Sequence, residues 1–135
     1  MTETPDLWPD LHAEKINTPK TILSEQAALL GKKTNNLIAA EVVSGKASDG
    51  RFVLFFRLNA PLLENYTYEL FTLYYSITLL YPCEIQFRYK KISVESEKDL
   101  IGKLKEIFND QETKNILASL YSQSMIEQQK NPYKS

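Results

Sequence analysis

A chain of 135 residues, 43% hydrophobic and 24% charged, is long enough for one domain burying roughly two-thirds of its unfolded surface, and too apolar to stay disordered. Its 16 Lys and Arg against 17 Asp and Glu leave a formal net charge of −1, which excludes a global field drawing the chain to polyanions or anionic membranes. One cysteine, Cys83, excludes an intrachain disulfide, and one histidine, His12, excludes a His-based triad or a multi-histidine metal site.

Residues 1–17 form an arm. Pro5, Trp8, Pro9 and Leu11 lie among scattered acids without helical or strand period. Trp8 and Leu11 are expected to fold back on the domain, the alternative being that DLWPDL docks on another subunit or protein. The arm carries acids where a signal peptide would be basic and lacks its apolar stretch, which with the lone cysteine points to a cytoplasmic setting.

TPKTILSEQAALLG then predicts a helix, with Thr18 as cap, Pro19 at its first position and Ile22, Leu23, Gln26, Ala27 and Leu30 on one stripe. Its end falls at Gly31, or at Asn35, since asparagine also tolerates the left-handed conformation. Leu37–Val43 and Arg51–Asn59 flank the turn segment SGKASDG and read as a hairpin. In the second strand Phe52, Leu54, Phe56 and Leu58 share one face, and Arg51, Val53, Phe55, Arg57 and Asn59 the other.

The stretch FTLYYSITLLYP is too short to cross a membrane, where about 20 residues are needed, and its β-branched and aromatic content suits a strand. A period of two puts Phe71, Leu73, Tyr75, Ile77, Leu79 and Tyr81 on the core face. Tyr66, Tyr68, Thr72, Tyr74, Ser76 and Thr78 then fall on the other. CEIQFRYKKI reads as a fourth strand, with Ile85, Phe87 and Tyr89 inward and Glu84, Gln86, Arg88 and Lys90 outward.

The period then becomes helical. SEKDLIGKLKEIFND predicts a helix capped by Ser96 with Asp99 reaching back, and DQETKNILASLYSQSMI a second one capped by Asp110. The division is an arm over 1–17, one domain over 18–126 and a polar tail over 127–135. The expected fold is α+β: an N-terminal helix, a four-stranded antiparallel meander and two C-terminal helices packed on one sheet face.

The opposite face would carry Arg51, Val53, Phe55 and Arg57 beside Thr72, Tyr74 and Ser76, and these beside Arg88 and Lys90. Tyrosine-rich surfaces edged with arginine are what protein interfaces use. The expectation is therefore a non-catalytic protein-binding module of adaptor, chaperone-like or inhibitor type, which also self-associates as a two-fold dimer. Single-stranded nucleic acid on the same face is an alternative, weakened by Glu41, Glu69 and Glu84 and by the missing glycine-aromatic pattern of RNA binders. A small-ligand pocket between sheet and helices, with hydroxyls from Tyr75, Tyr81 and Tyr89, is another. No cofactor or membrane partner is called for. Cys83 has no visible activating base and reads as packing, while Glu41 reads as one half of a cross-strand ion pair rather than as a general base.

Overall fold

The computed structural model describes residues 4–12 and 16–130. Among the described residues the protein is α+β, with one antiparallel sheet of five strands and three helices. Helix α1, Pro19–Lys33, starts where Thr18 Oγ1 accepts the Thr21 N–H at 3.1 Å, with Pro19 supplying the preset φ of a first turn. It runs past Gly31 and closes at Asn35 and Asn36, whose φ values of 52° and 64° are left-handed. The Thr34 hydroxyl fixes the exit by donating to the Ile38 carbonyl at 2.9 Å and accepting the Ile38 N–H at 3.2 Å.

The strands β1 (Ala39–Lys46), β2 (Phe52–Ala60), β3 (Tyr66–Tyr75), β4 (Cys83–Phe87) and β5 (Lys90–Val94) pair in chain order. The expected fourth strand is thus two. Its chain reverses at Arg88 and Tyr89, with Arg88 at φ 59°, and Tyr89 stands in solvent instead of facing inward. The reversal is held from elsewhere in the fold: the Arg88 guanidinium pairs with Asp110, and with Glu112 at 2.7 Å, at the start of α3.

Two further departures affect β3. Its register against β2 shifts between Phe56, opposite Phe71, and Arg57, opposite Glu69, so that Leu70 is the extra residue of a bulge. Every side chain before the bulge changes face. Tyr68 therefore stands opposite Leu58 and packs against the core, and Tyr66 stands opposite Ala60, rather than both joining Thr72 and Tyr74. At its other end β3 stops at Tyr75, because β4 pairs with it only over Thr72–Tyr74. Beyond that, Ser76 O accepts from Leu80 N at 2.9 Å, and Ile77 and Leu79 are exposed instead of buried.

Helix α2 spans Glu97–Phe108 behind the Ser96 cap, with Asp99 reaching back to the Glu95 N–H at 2.9 Å. Helix α3 spans Gln111–Lys130, so residues 127–130 of the expected tail continue the helix, and residues 131–135 lie outside the described residues. Buried residues from all three helices, Leu23, Leu100, Leu104, Ile107 and Leu120 among them, form one cluster with Leu54, Phe56, Leu58, Phe71, Leu73 and Ile85 of the sheet. One face of the sheet is covered by helices. Phe56 sits at the centre, stacked on Phe71 at 4.9 Å and 9° and against Phe108 at 5.6 Å.

The arm does not fold back. Leu7, Trp8 and Leu11 are 81%, 82% and 72% exposed, and Asp6 and Asp10 spend their carboxylates on the Trp8 and His12 N–H groups, each at 3.0 Å, in local turns. Among the described residues, the arm is pinned where it meets the body. There Tyr81 Oη donates to the Asn17 carbonyl at 3.2 Å and Asn17 Nδ2 donates to Glu97 at 2.9 Å.

On the inner side of α3, the buried hydroxyls of Thr113 and Ser124 have no hydrogen-bond partner among the described residues. An unsatisfied buried hydroxyl costs about 1–3 kcal/mol, so Thr113→Val and Ser124→Ala are each expected to be neutral or to stabilise by about 1 kcal/mol. Thermal denaturation checks this, and a clear loss of Tm in either variant would refute it.

Candidate functional site

The face without helices is built mainly by β1, β2 and β3. Period two from the registers puts Glu41, Val43 and Gly45 of β1 beside Arg57, Phe55 and Val53 of β2. These in turn lie beside Glu69, Thr72 and Tyr74 of β3, and Glu84 and Gln86 of β4 follow, with Ser93 and Lys91 of β5 at the edge. Although no helix among the described residues covers it, Val53 is only 3% exposed, because its neighbours on the same face close over it.

Gly45 makes room for that closure. A Cβ on Gly45 would lie 3.1 Å from the Phe55 ring and 3.3 Å from Val53 Cγ1, so the absent side chain lets the ring lie against β1. The Arg57 guanidinium covers the same ring at 5.1 Å and reaches Glu69 at 3.6 Å. Arg51 does likewise for Tyr74: it lies 4.8 Å from the ring centroid, pairs with Asp49 at 2.8 Å and approaches Glu84 at 3.7 Å. The Arg51 backbone N–H and guanidinium hold the Asp49 carboxyl below its ordinary range. Each arginine therefore restrains one aromatic ring while its charge is neutralised beside it.

Of the nine residues singled out in the sequence, Arg51, Val53, Phe55, Arg57, Thr72 and Tyr74 come together on this face. Three do not. Ser76 lies beyond the end of β3, in the turn toward β4. Arg88 occupies the β4–β5 turn and is bound to α3, and Lys90 stands opposite Phe87 on the helix-covered side. The split of the expected fourth strand puts Lys91, not Lys90, on the open face beside Gln86. Val43 and Gly45 were not assigned from the sequence. Gly45 lay hidden in the segment SGKASDG, which reads as a turn, whereas β1 runs on to Lys46 and makes it a strand glycine of the kind that marks a close approach.

The charges on this face are mixed: Arg51, Arg57 and Lys91 against Glu41, Asp49, Glu69 and Glu84. Glu41 stands opposite Arg57 in the ladder. A phosphate backbone would have to displace carboxylates already placed on the arginines. A protein surface can use the rings between them.

The tyrosines proposed for a small-ligand site do not converge. Tyr75 packs near Phe52 at 6.0 Å, Tyr81 bonds the Asn17 carbonyl, and Tyr89 is exposed. Cys83 is buried opposite Val94, and burial, then the nearby Asp99 and Glu95 carboxylates, pushes its thiol up to about 12. Burial also pushes the Tyr81 phenol up to about 12. The thiol is expected to react with an aromatic disulfide reagent at pH 8 at least about a hundredfold more slowly in the native protein than in denaturant.

Both groups stay protonated when folded but ionise near 9.0 and 10.0 when unfolded, so their stabilisation is complete below pH 9 and is lost as pH rises toward 12. Denaturant titrations at pH 8 and pH 11 should show the fall. Unchanged stability would refute it.

Among the described residues, no group of three or more His, Cys, Asp and Glu could hold a metal ion, and no helix is long and apolar enough to cross a membrane. No protein-family model, no curated protein and no solved structure matches the chain.

Proposed function

We propose that this protein is a non-catalytic protein-binding module, working in the cytoplasm, whose recognition surface is the open face of the sheet. One observation carries the reading: the helices cover one face, while on the other Phe55 and Tyr74 are half-buried rings held in place by arginines whose charge is already paired. Aromatic anchors restrained before contact lose little entropy on binding, and an apolar centre with a charged edge is the layout of a protein interface. The same face on a second copy would offer it a self-complementary mixture of charges, so a two-fold homodimer is included in the proposal. An adaptor, a chaperone-like protein or an inhibitor would each use such a surface.

The test compares wild type with a Phe55→Thr/Tyr74→Thr variant, measuring sedimentation and capture of partners after nuclease treatment. Loss of a nuclease-resistant partner, or of self-association, in the variant supports the proposal. Capture that disappears with nuclease and weakens steeply with salt would assign the face to single-stranded nucleic acid instead.

A further inference from the structure

A second feature lies away from the open face. Between the end of α1, the end of α2 and α3 is an open groove of about 520 Å3, floored by Phe56 and Leu58 of the sheet and walled by Leu29, Leu30, Phe108 and Leu117. Its size is that of sites that enclose a few side chains. Lys32 and Lys33 line it, and among the described residues its lining contains no carboxylate.

The arm has the complementary chemistry. Leu7, Trp8 and Leu11 expose three large apolar side chains within five residues, flanked by the carboxylates of Asp6 and Asp10. An apolar cluster this exposed marks a contact surface. We propose that the segment Asp6–Leu11 docks in the groove of a second copy of the chain, with Trp8 as the apolar anchor and Asp6 and Asp10 facing Lys32 and Lys33.

The geometry favours a second copy over the chain's own groove. The arm leaves the body at Asn17, which bonds Glu97 at 2.9 Å, so both α1 and α2 begin at the arm's exit. Both end at the groove, at Lys33 and Phe108. At 1.5 Å per residue, α1 separates the exit from the groove by up to about 22 Å. To reach its own groove the stretch from Trp8 to Asn17 would have to run extended along α1, whereas the Asp10 turn shortens that stretch and Trp8 stands 82% exposed. A second copy removes that length limit, and reciprocal exchange of arms closes a two-fold dimer.

Trp8 is the single tryptophan, so its fluorescence reports the docking directly. The full chain is diluted through a concentration series, with emission and sedimentation recorded together. The expected result is emission that moves to shorter wavelength as concentration rises, in step with dimer formation. Leu29→Glu, at a position 54% exposed, keeps the fold by circular dichroism and abolishes both changes. Trp8→Ala raises the dissociation constant by at least about 30-fold. Lys32→Glu/Lys33→Glu weakens the dimer, and adding Asp6→Lys/Asp10→Lys to that variant restores it.

Emission independent of concentration overturns the proposal. At long wavelength it means an arm that stays free, and at short wavelength an arm in its own groove. A dimer insensitive to both Trp8→Ala and Leu29→Glu but lost in Phe55→Thr/Tyr74→Thr also overturns it, and leaves the open face as the interface. The two readings therefore fail independently.

Discussion

Phe56→Ala is expected to destabilise the protein by about 3–5 kcal/mol, the range for truncating a large buried aromatic. Phe56 is 2% exposed, on a central strand, and its ring stacks on Phe71 and meets Phe108, so one substitution removes contacts among sheet, α2 and the aromatic pair. The stacking adds about 0.5–1.5 kcal/mol to the area lost, while the cavity opens toward the groove and admits water, which keeps the total within that range. For a domain of this size the Tm should fall by roughly 10–20 °C. Phe56→Leu, which keeps most of the volume, should cost about 1–1.5 kcal/mol. Denaturant titration measures both, and a loss below about 1 kcal/mol for the alanine variant would mean that the core is not organised around this ring.

The second large effect concerns binding. Phe55→Thr and Tyr74→Thr are each expected to weaken a contact made by the open face at least about 30-fold, as loss of an aromatic anchor does, with less than about 1 kcal/mol change in stability. The small stability cost follows from the ladder. Phe55 stands opposite Thr72, so Phe55→Thr creates a Thr–Thr pair, and threonine, being β-branched, suits both positions on a pleated surface.

Acidic substitutions would be poorer probes. Tyr74→Glu would face Glu84, and Arg57→Glu would stand between Glu41 and Glu69, so like-charge repulsion in the sheet could mimic a binding defect. Isothermal titration against a captured partner, or sedimentation for the self-associating form, reads the change. Binding unchanged in both threonine variants would remove the open face from the function.

Much of the local structure could be read from residues that act on their immediate neighbours. Thr18 and Pro19 start α1, Asn35 closes it, and Ser96 with Asp99 starts α2, because each supplies a hydrogen bond or a φ value that the adjoining backbone needs whatever the rest of the chain does. The period of two in β2, with Leu54 and Phe56 opposed to Val53, Phe55 and Arg57, likewise assigned the two faces of the sheet. The helix-free face was legible there because Arg57 and Asn59 alternate with Phe56, Leu58 and Ala60, and a period of two carries the assignment back through the apolar run 52–56.

Where that contrast disappears, so does the signal. Leu70 and Phe71 are both apolar, so a bulge between two buried neighbours leaves no mark in the pattern, yet it moves Tyr66 and Tyr68 to the other face. The end of β3 depends on how far β4 extends beside it, and the reversal at Arg88 depends on Asp110, 22 residues later. By itself the sequence determined an α+β domain with capped helices and an amphiphilic strand pair, since caps, turns and period are properties of adjacent residues. Only the tertiary structure decided that the fourth strand is two and that Lys91 replaces Lys90 on the open face. Each of these rests on a pairing between distant segments, whose free energy belongs to the contact and not to either stretch of chain.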